Sequence, residues 1–249
     1  MTVGGNELTA VAVNVGQGAA TLLHSGDCTV LVDCGSLNGG QSAGKAVAAA
    51  METYGWGSLD YVALTHFHED HANGLEDLFS RVEAGELLVP RLTGGGDRET
   101  LELAELYDIP VRYVEIARET IGMGEAVLTV YPPVSEGGEN EEGLTFLCTA
   151  GDFDLLITGD MASSTERELL DTYLFPDIEV LIAGHHGSRY SNSAALLEAV
   201  TPEVGVISAG ANNPYGHPAA ETVNRMEAAG MTLFRTDLNG NILIRVHQS

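Results

Sequence analysis

Lysine is almost missing from this chain: Lys45 is the only one, and 11 Lys+Arg in all face 36 Asp+Glu. The formal net charge of −25 repels polyanions at long range, so a general electrostatic grip on long duplex nucleic acid is disfavoured. Cysteine is scarce as well. Cys28, Cys34 and Cys148 are too few and odd in number for a disulfide framework, and their apolar surroundings predict reduced, buried thiols. No uninterrupted apolar run approaches the roughly 18 residues that span a bilayer. The first residues, Met1 to Glu7, carry neither a basic stretch nor an apolar one of the kind a secretory signal needs. The expectation is therefore a soluble, cytoplasmic chain with no membrane association. No segment repeats and no low-complexity linker divides the sequence.

What is present is ample apolar material. Hydrophobic residues make up 44% of 249 positions and 30 glycines sit among regularly spaced apolar runs, which excludes disordered, collagen-like and coiled-coil classes. The length suits one domain over residues 1–249. Strands are expected at Leu8 to Val15, Ala20 to His24, Cys28 to Cys34, Leu59 to Thr65, Glu86 to Pro90, Val111 to Ile116 and Val127 to Tyr131. Leu144 to Thr149 and Phe153 to Thr158 read as a hairpin, followed by strands at Val180 to Ala183, Val204 to Ser208, Met231 to Arg235 and Asn241 to Val246. Helices are expected at Ser42 to Tyr54, Ala72 to Val82, Arg98 to Tyr107, Ser164 to Tyr173, Asn192 to Val200 and Ala219 to Ala229. Strands separated by helices predict α/β sheets covered by helices.

Six of the eight histidines fall in three short segments, each just after an expected strand. The first is Thr65-His66-Phe67-His68-Glu69-Asp70-His71. Residues two apart in an extended segment point the same way, so His66 and His68 can converge on one cation. As the chain turns into a helix, Asp70 and His71 project to the other side of that point, which favours two adjacent ions. Imidazole and carboxylate donors suit Zn²⁺, Mn²⁺ or Fe. Asp160 ends the apolar run Leu155-Leu156-Ile157-Thr158-Gly159 and is the best candidate to bridge the two ions, its alternative being a helix cap. In His185-His186-Gly187-Ser188, adjacent histidines in a bend point apart, so one binds metal and its neighbour faces substrate.

Together these segments resemble the metallo-β-lactamase superfamily, and more narrowly its free-standing ComEC-like hydrolase domains. The matching stretches are Val15-Gly16-Gln17-Gly18, Leu31 to Gly35, Thr65 to His71, Thr158-Gly159-Asp160, His185 to Ser188, Tyr215-Gly216-His217-Pro218 and Arg235-Thr236-Asp237. The resemblance implies a four-layer αββα sandwich with two divalent metal ions, Zn or Mn, at one edge. It implies that His66 and His68 hold the first ion, that Asp70, His71 and His185 hold the second, and that Asp160 bridges. His186 then becomes a substrate-facing group, and Asp33 supports the ligand loop from behind. The superfamily often supplies a third histidine to the first ion, yet none occurs between His71 and His185; Asn140 is the nearest polar counterpart. Asn14 and Ala19 stand where the subgroup has aspartates around the Gly16-Gln17-Gly18 turn.

The implied activity is a dinuclear metallohydrolase, with a phosphodiester as the leading substrate and a metal-bound hydroxide, formed from water whose pKa falls to roughly 7, as nucleophile. Asp70 belongs to the reacting centre, and His186 or His217 would donate a proton to the leaving oxygen. Arg189 and Ser188 would contact the phosphate-ester or other small-molecule substrate. The same centre also suits a carboxylic ester, thioester, lactone or β-lactam, since fold does not fix substrate. A non-catalytic, metal-stabilised binding domain is the remaining alternative.

Overall fold

Both faces of the first strand are apolar, and that decides how it is buried. The computed structural model describes residues 7–37, 42–94 and 96–247. In β1 (Glu7–Ala12), Leu8, Ala10 and Ala12 enter one buried cluster while Val11 enters another. A strand buried on both faces belongs to a sheet covered on both sides. The first sheet is completed by β2 (Thr21–Ser25), β3 (Cys28–Val32), β4 (Ser58–Ala63), β5 (Glu83–Pro90) and β6 (Val111–Val114). The second holds β7 (Glu119–Met123), β8 (Ala126–Tyr131), β9 (Thr145–Ala150), β10 (Phe153–Ile157), β11 (Val180–Ile182), β12 (Val204–Ile207) and β13 (Thr232–Arg235). The last strand, β14 (Ile242–His247), returns to the first sheet and pairs antiparallel with β1.

The sheets run in the orders β14-β1-β2-β3-β4-β5-β6 and β13-β12-β11-β10-β9-β8-β7. Leu23, Val30, Val32, Leu88 and Val114 from the first meet Leu128, Val130, Phe146, Leu155 and Val206 from the second in the central core. Burying one such leucine or valine contributes about 1.5–3 kcal/mol. Outside the first sheet lie α1 (Ala43–Tyr54), α2 (Glu69–Ala72), α3 (Leu75–Phe79) and α4 (Arg98–Leu106), with Val47, Met51, Leu78 and Ala104 in contact with the sheet. Outside the second lie α5 (Ser163–Thr172), α6 (Ala194–Val200) and α7 (Ala220–Ala228), through Leu170, Leu196, Val200 and Met226. A short α8 (Thr236–Asn239) links β13 to β14. The result is the expected αββα sandwich.

Cys34 and Cys148 are buried and Cys28 is half-buried, all as free thiols, and burial pushes the Cys148 thiol up to about 12. Three expectations are corrected. The helix read at Ala72 to Val82 is two helices broken at Asn73-Gly74, because Gly74 N–H donates to Cys34 O at 2.8 Å and a Cβ there would sit 2.7 Å from that oxygen. The strand read as far as Ile116 stops at Val114, leaving Ile116 exposed. Strand β7, which is short and contains Gly122, was not expected at all. The reading of Met1 to Asn6 as free of a leader falls outside the described residues.

Strands β3, β4, β5 and β6 are parallel, as are β10 to β13. The loops that leave the C-terminal ends of β3, β4, β10, β11 and β12 carry Asp33, the 66–71 cluster, Asp160, the histidine pair and Ser208. Such strand ends are where open α/β sheets present side chains to ligands.

Candidate metal centre

The first sheet fixes its contribution through Asp33, which stands in the left-handed region (φ 60°) just past β3. Its carboxylate accepts from Thr65 N at 2.7 Å, from Thr65 Oγ1 at 2.9 Å and from His71 Nδ1 at 2.8 Å. Thr65 Oγ1, having donated to Asp33, accepts from His66 Nδ1 at 2.9 Å. The backbone adds a second hold on α2: Cys34 N donates to His71 O at 2.7 Å and Ala19 N to Asp70 O at 2.9 Å. One buried carboxylate therefore sets the orientation of two histidine rings.

The second sheet approaches through glycine. A Cβ on Gly159, whose φ is 64°, would lie 2.9 Å from Thr65 Cβ, so only glycine lets Asp160 come this close to the first sheet. His185 and His186 follow with φ of 51° and 53°. Two consecutive non-glycine residues in that region cost about 1–3 kcal/mol each and persist only where the surroundings impose them. Here His185 N donates to Gly159 O at 3.1 Å, and the Asn192 side chain bonds both Gly184 N and Gly184 O at 2.9 Å. His186 Nδ1 lies 3.0 Å from Ser208 O; a carbonyl only accepts, so that nitrogen carries the proton. Ser208 Oγ in turn donates to Gly18 O at 2.8 Å, and Gly210 N donates to buried Gln17 Oε1 at 3.1 Å. The Gly16-Gln17-Gly18 turn thus ties the two halves of the centre together.

Among the described residues, Asp70, His71, Asp160 and His186 bring one ligand atom each to within 4.8 Å of one another. His71 Nε2 stands 3.2 Å from Asp160 Oδ1, and His186 Nε2 stands 3.2 Å from Asp70 Oδ2. With their Nδ1 atoms engaged elsewhere, His66, His71 and His186 each leave a buried Nε2 with no hydrogen-bond partner. Two imidazole nitrogens and two carboxylates gathered this closely, in a buried place, are a donor set that a divalent cation can use. The donor set fits the ions expected.

Electrostatics agree. Burial penalises the charged form of each group, yet the carboxylates of Asp160 and Asp33 hold His71 well above its ordinary value. His71 and His186 hold Asp160 well below the carboxylate range, and Asp70 lies at about 2 through His186 and His71. His66 goes the other way: burial and the neighbouring His71 push it well below 6.5. In the metal-free chain His71 keeps its proton in the folded state after losing it in the unfolded one, so stability falls as pH rises above about 6.5. His66 is neutral when folded and charged when unfolded, so stability also falls as pH drops below about 6.5. Urea midpoints measured in chelator between about pH 5 and pH 9 should therefore peak near neutrality, and zinc loading should abolish the alkaline limb by displacing the His71 proton.

Several expected site residues lie elsewhere than expected. His186, not His185, joins the quartet. His185 sits at the rim, 29% exposed, with Nε2 3.6 Å from Asp160 Oδ2. The exchange follows from the left-handed turn, which sends His186 inward to Ser208. His186 Nε2, 3.2 Å from Asp70 Oδ2, is thereby placed among the ligand atoms of the quartet. His217 is half-buried and pushed down to about 4 by burial and by His186 and His185, so it is neutral at pH 7. Ser188 is buried, its carbonyl accepting from Thr222 Oγ1 at 2.8 Å, and is not open to substrate. Arg189 is exposed and faces Glu221 at 3.7 Å. His66 and His68 are adjacent, with ring centroids 4.8 Å apart, but stand outside the quartet. Next to them the residue that sequence reading missed is Glu139: its Oε2 lies 3.8 Å from His68 Nε2, where Asn140 was expected. Asn140 Oδ1 is buried without a partner. The acidic run 139–142 hid this contact. Its other members are committed to structure, Glu142 accepting from Thr93 N and Oγ1 at 2.6 Å and Glu141 from Thr165.

Residues 13–211 match the metallo-beta-lactamase superfamily, and the chain belongs to it. It is 30% identical over 244 residues to Competence protein ComA of Neisseria gonorrhoeae, covering 94% of this chain and 32% of that one. It is 27% identical over 237 residues to Recombination protein 2 of Haemophilus influenzae, covering 95% of this chain and 28% of that one. The chain thus spans about a third or less of the length of these relatives. Among solved structures, the metallo-beta-lactamase fold protein YhfI of Bacillus subtilis superposes with a TM-score of 0.60 at 13% identity, over 96% of this chain and all of that one. Among the described residues no helix is long and apolar enough to cross a membrane.

Proposed function

We propose that the chain is a divalent-metal hydrolase of short phosphodiesters. The observation that carries the reading is the convergence of Asp70, His71, Asp160 and His186, one ligand atom each within 4.8 Å of one another, with the buried, unpartnered Nε2 of His66 on the ring next to His71. Asp70, His71, Asp160 and His186 would hold one ion, zinc or manganese. His66 and His68 would hold a second, with Asp160 between the two and Glu139 beside His68 in the place of the missing histidine. When bound, the ions supply Lewis acidity toward a phosphoryl oxygen and acidify a water.

The chain's own residues do the rest. Asp33 and Thr65 keep the rings of His66 and His71 turned with Nε2 inward. Asp70, held at about 2, stays a carboxylate throughout the working pH range and binds rather than shuttles protons. His185 takes the substrate-facing place at the rim. His217, neutral at pH 7, can offer a hydrogen bond to an oxygen beside it.

The names of the relatives, a competence protein and a recombination protein, favour a phosphodiester drawn from nucleic acid. A net charge of −25 favours cation loading and short esters over long duplexes. Elemental analysis after dialysis against zinc or manganese should give near two ions per chain, and the loaded chain should hydrolyse bis(p-nitrophenyl) phosphate. A thioester and nitrocefin run beside it decide the class: turnover of either without turnover of the phosphodiester would overturn the substrate reading. Near-zero metal content would leave a binding domain.

A further inference from the structure

The clustered histidines form an unbroken series of ring contacts, and the two ends of that series differ in chemistry. From His68 it passes to His66, His71, His186 and His217, with centroids 4.1–6.2 Å apart at each step. At the His68 end stands Glu139, which with Glu136 and Glu142 lines a pocket of about 480 Å³. An anionic chain crossing that end would meet carboxylates. At the other end stands Tyr215, its ring 6.0 Å from His217 and tilted only 27° to it; His217 is tilted 28° to His186. Tyr215 is 55% exposed, with a wide aromatic surface open to solvent.

The backbone that carries this tyrosine is held in place rather than left loose. Asn213 organises the loop that carries it: its Nδ2 donates to Gly210 O at 2.9 Å and to His217 O, and its Oδ1 accepts from Tyr215 N at 3.1 Å and His217 N at 3.0 Å. The ring lies over His217 at the mouth of a polar centre, with more than half of the residue open to solvent. Aromatic side chains in such positions take nucleobases, because every base offers a π-face.

We propose that Tyr215 is the stacking platform for a nucleobase of the substrate. The base sits on the tyrosine side, with the phosphate of the ester toward the quartet. The inference rests on the phosphodiester reading above and narrows it to nucleotide esters without reading base identity.

Calorimetric titration of the zinc-loaded chain with thymidine 5′-monophosphate and with methyl phosphate tests it. The nucleotide should bind ~10-fold tighter, a gap in the range for one stacked base. Tyr215→Ala should erase the gap without changing methyl phosphate affinity, and Tyr215→Phe should keep it. A wild-type chain that binds both esters alike, or a Tyr215→Ala chain that keeps the preference, overturns the platform and leaves phosphate binding intact. Binding of neither ester overturns the platform, while the phosphodiester reading stands or falls separately on hydrolysis of bis(p-nitrophenyl) phosphate.

Discussion

Asp160→Asn is expected to cut phosphodiester turnover by at least ~100-fold, since supporting residues alone are worth 10–100-fold at metal sites and a direct ligand is worth more. The side chain keeps its shape in this variant but loses its charge. Asp160 is buried, reaches His71 Nε2 at 3.2 Å, His185 Nε2 at 3.6 Å and His186 Nε2 at 3.8 Å, and is the only carboxylate delivered by the second sheet to the quartet. A neutral amide there leaves Asp70 as the one negative ligand of the four. Metal content after dialysis should fall with activity, while the circular dichroism spectrum stays that of the folded chain. Wild-type metal content and turnover in Asp160→Asn would remove this residue from the centre; the helix-cap alternative is already excluded, since Ala162 stands at the N-cap of α5.

Much of this was readable beforehand, for identifiable reasons. The strands were legible because buried strands of a covered sheet are short apolar runs bounded by glycine and polar turns, as at Val180–Ile182 and Val204–Ile207. His66, His71 and Asp160 were legible because strand ends project side chains to a common edge. What escaped was orientation. His185 and His186 are neighbours in the sequence, and their difference arises from two left-handed residues and a carbonyl at Ser208, 22 positions away. Ser188 looked like a substrate contact for the same reason, since nothing local says that the turn folds it inward. Glu139 escaped because one acidic residue among several carries no mark of its own. Gln17 is the clearest case: only the approach of the two sheets gives its side chain a partner in Gly210.

The steric fit behind the ligand loop should be the least forgiving part of the molecule, and Gly35→Ala measures it. A Cβ on Gly35 would lie 2.2 Å from His71 N, 2.3 Å from Asp70 C and 2.5 Å from Glu69 O. All three are backbone atoms of the segment that carries two members of the quartet, so no side-chain rotation relieves the clash. The first turn of α2 has to move outward, and the hydrogen bond from Cys34 N to His71 O at 2.7 Å has to lengthen with it. Overpacking in a well-filled interior costs about 1–3 kcal/mol when side chains can adjust, and a backbone clash belongs at or above the top of that range. The urea midpoint of Gly35→Ala should therefore fall by an amount equivalent to about 3 kcal/mol. Zinc affinity, measured by chelator competition on the folded variant, should fall as well because Asp70 and His71 are displaced together. Gly57→Ala is the matched control: a Cβ there meets nothing within 4 Å, so its midpoint should shift by ~0.5 kcal/mol or less. Equal midpoints and equal zinc affinities for the two variants would mean that α2 is not held against the 33–35 turn and that the geometry of His71 is set by some other contact.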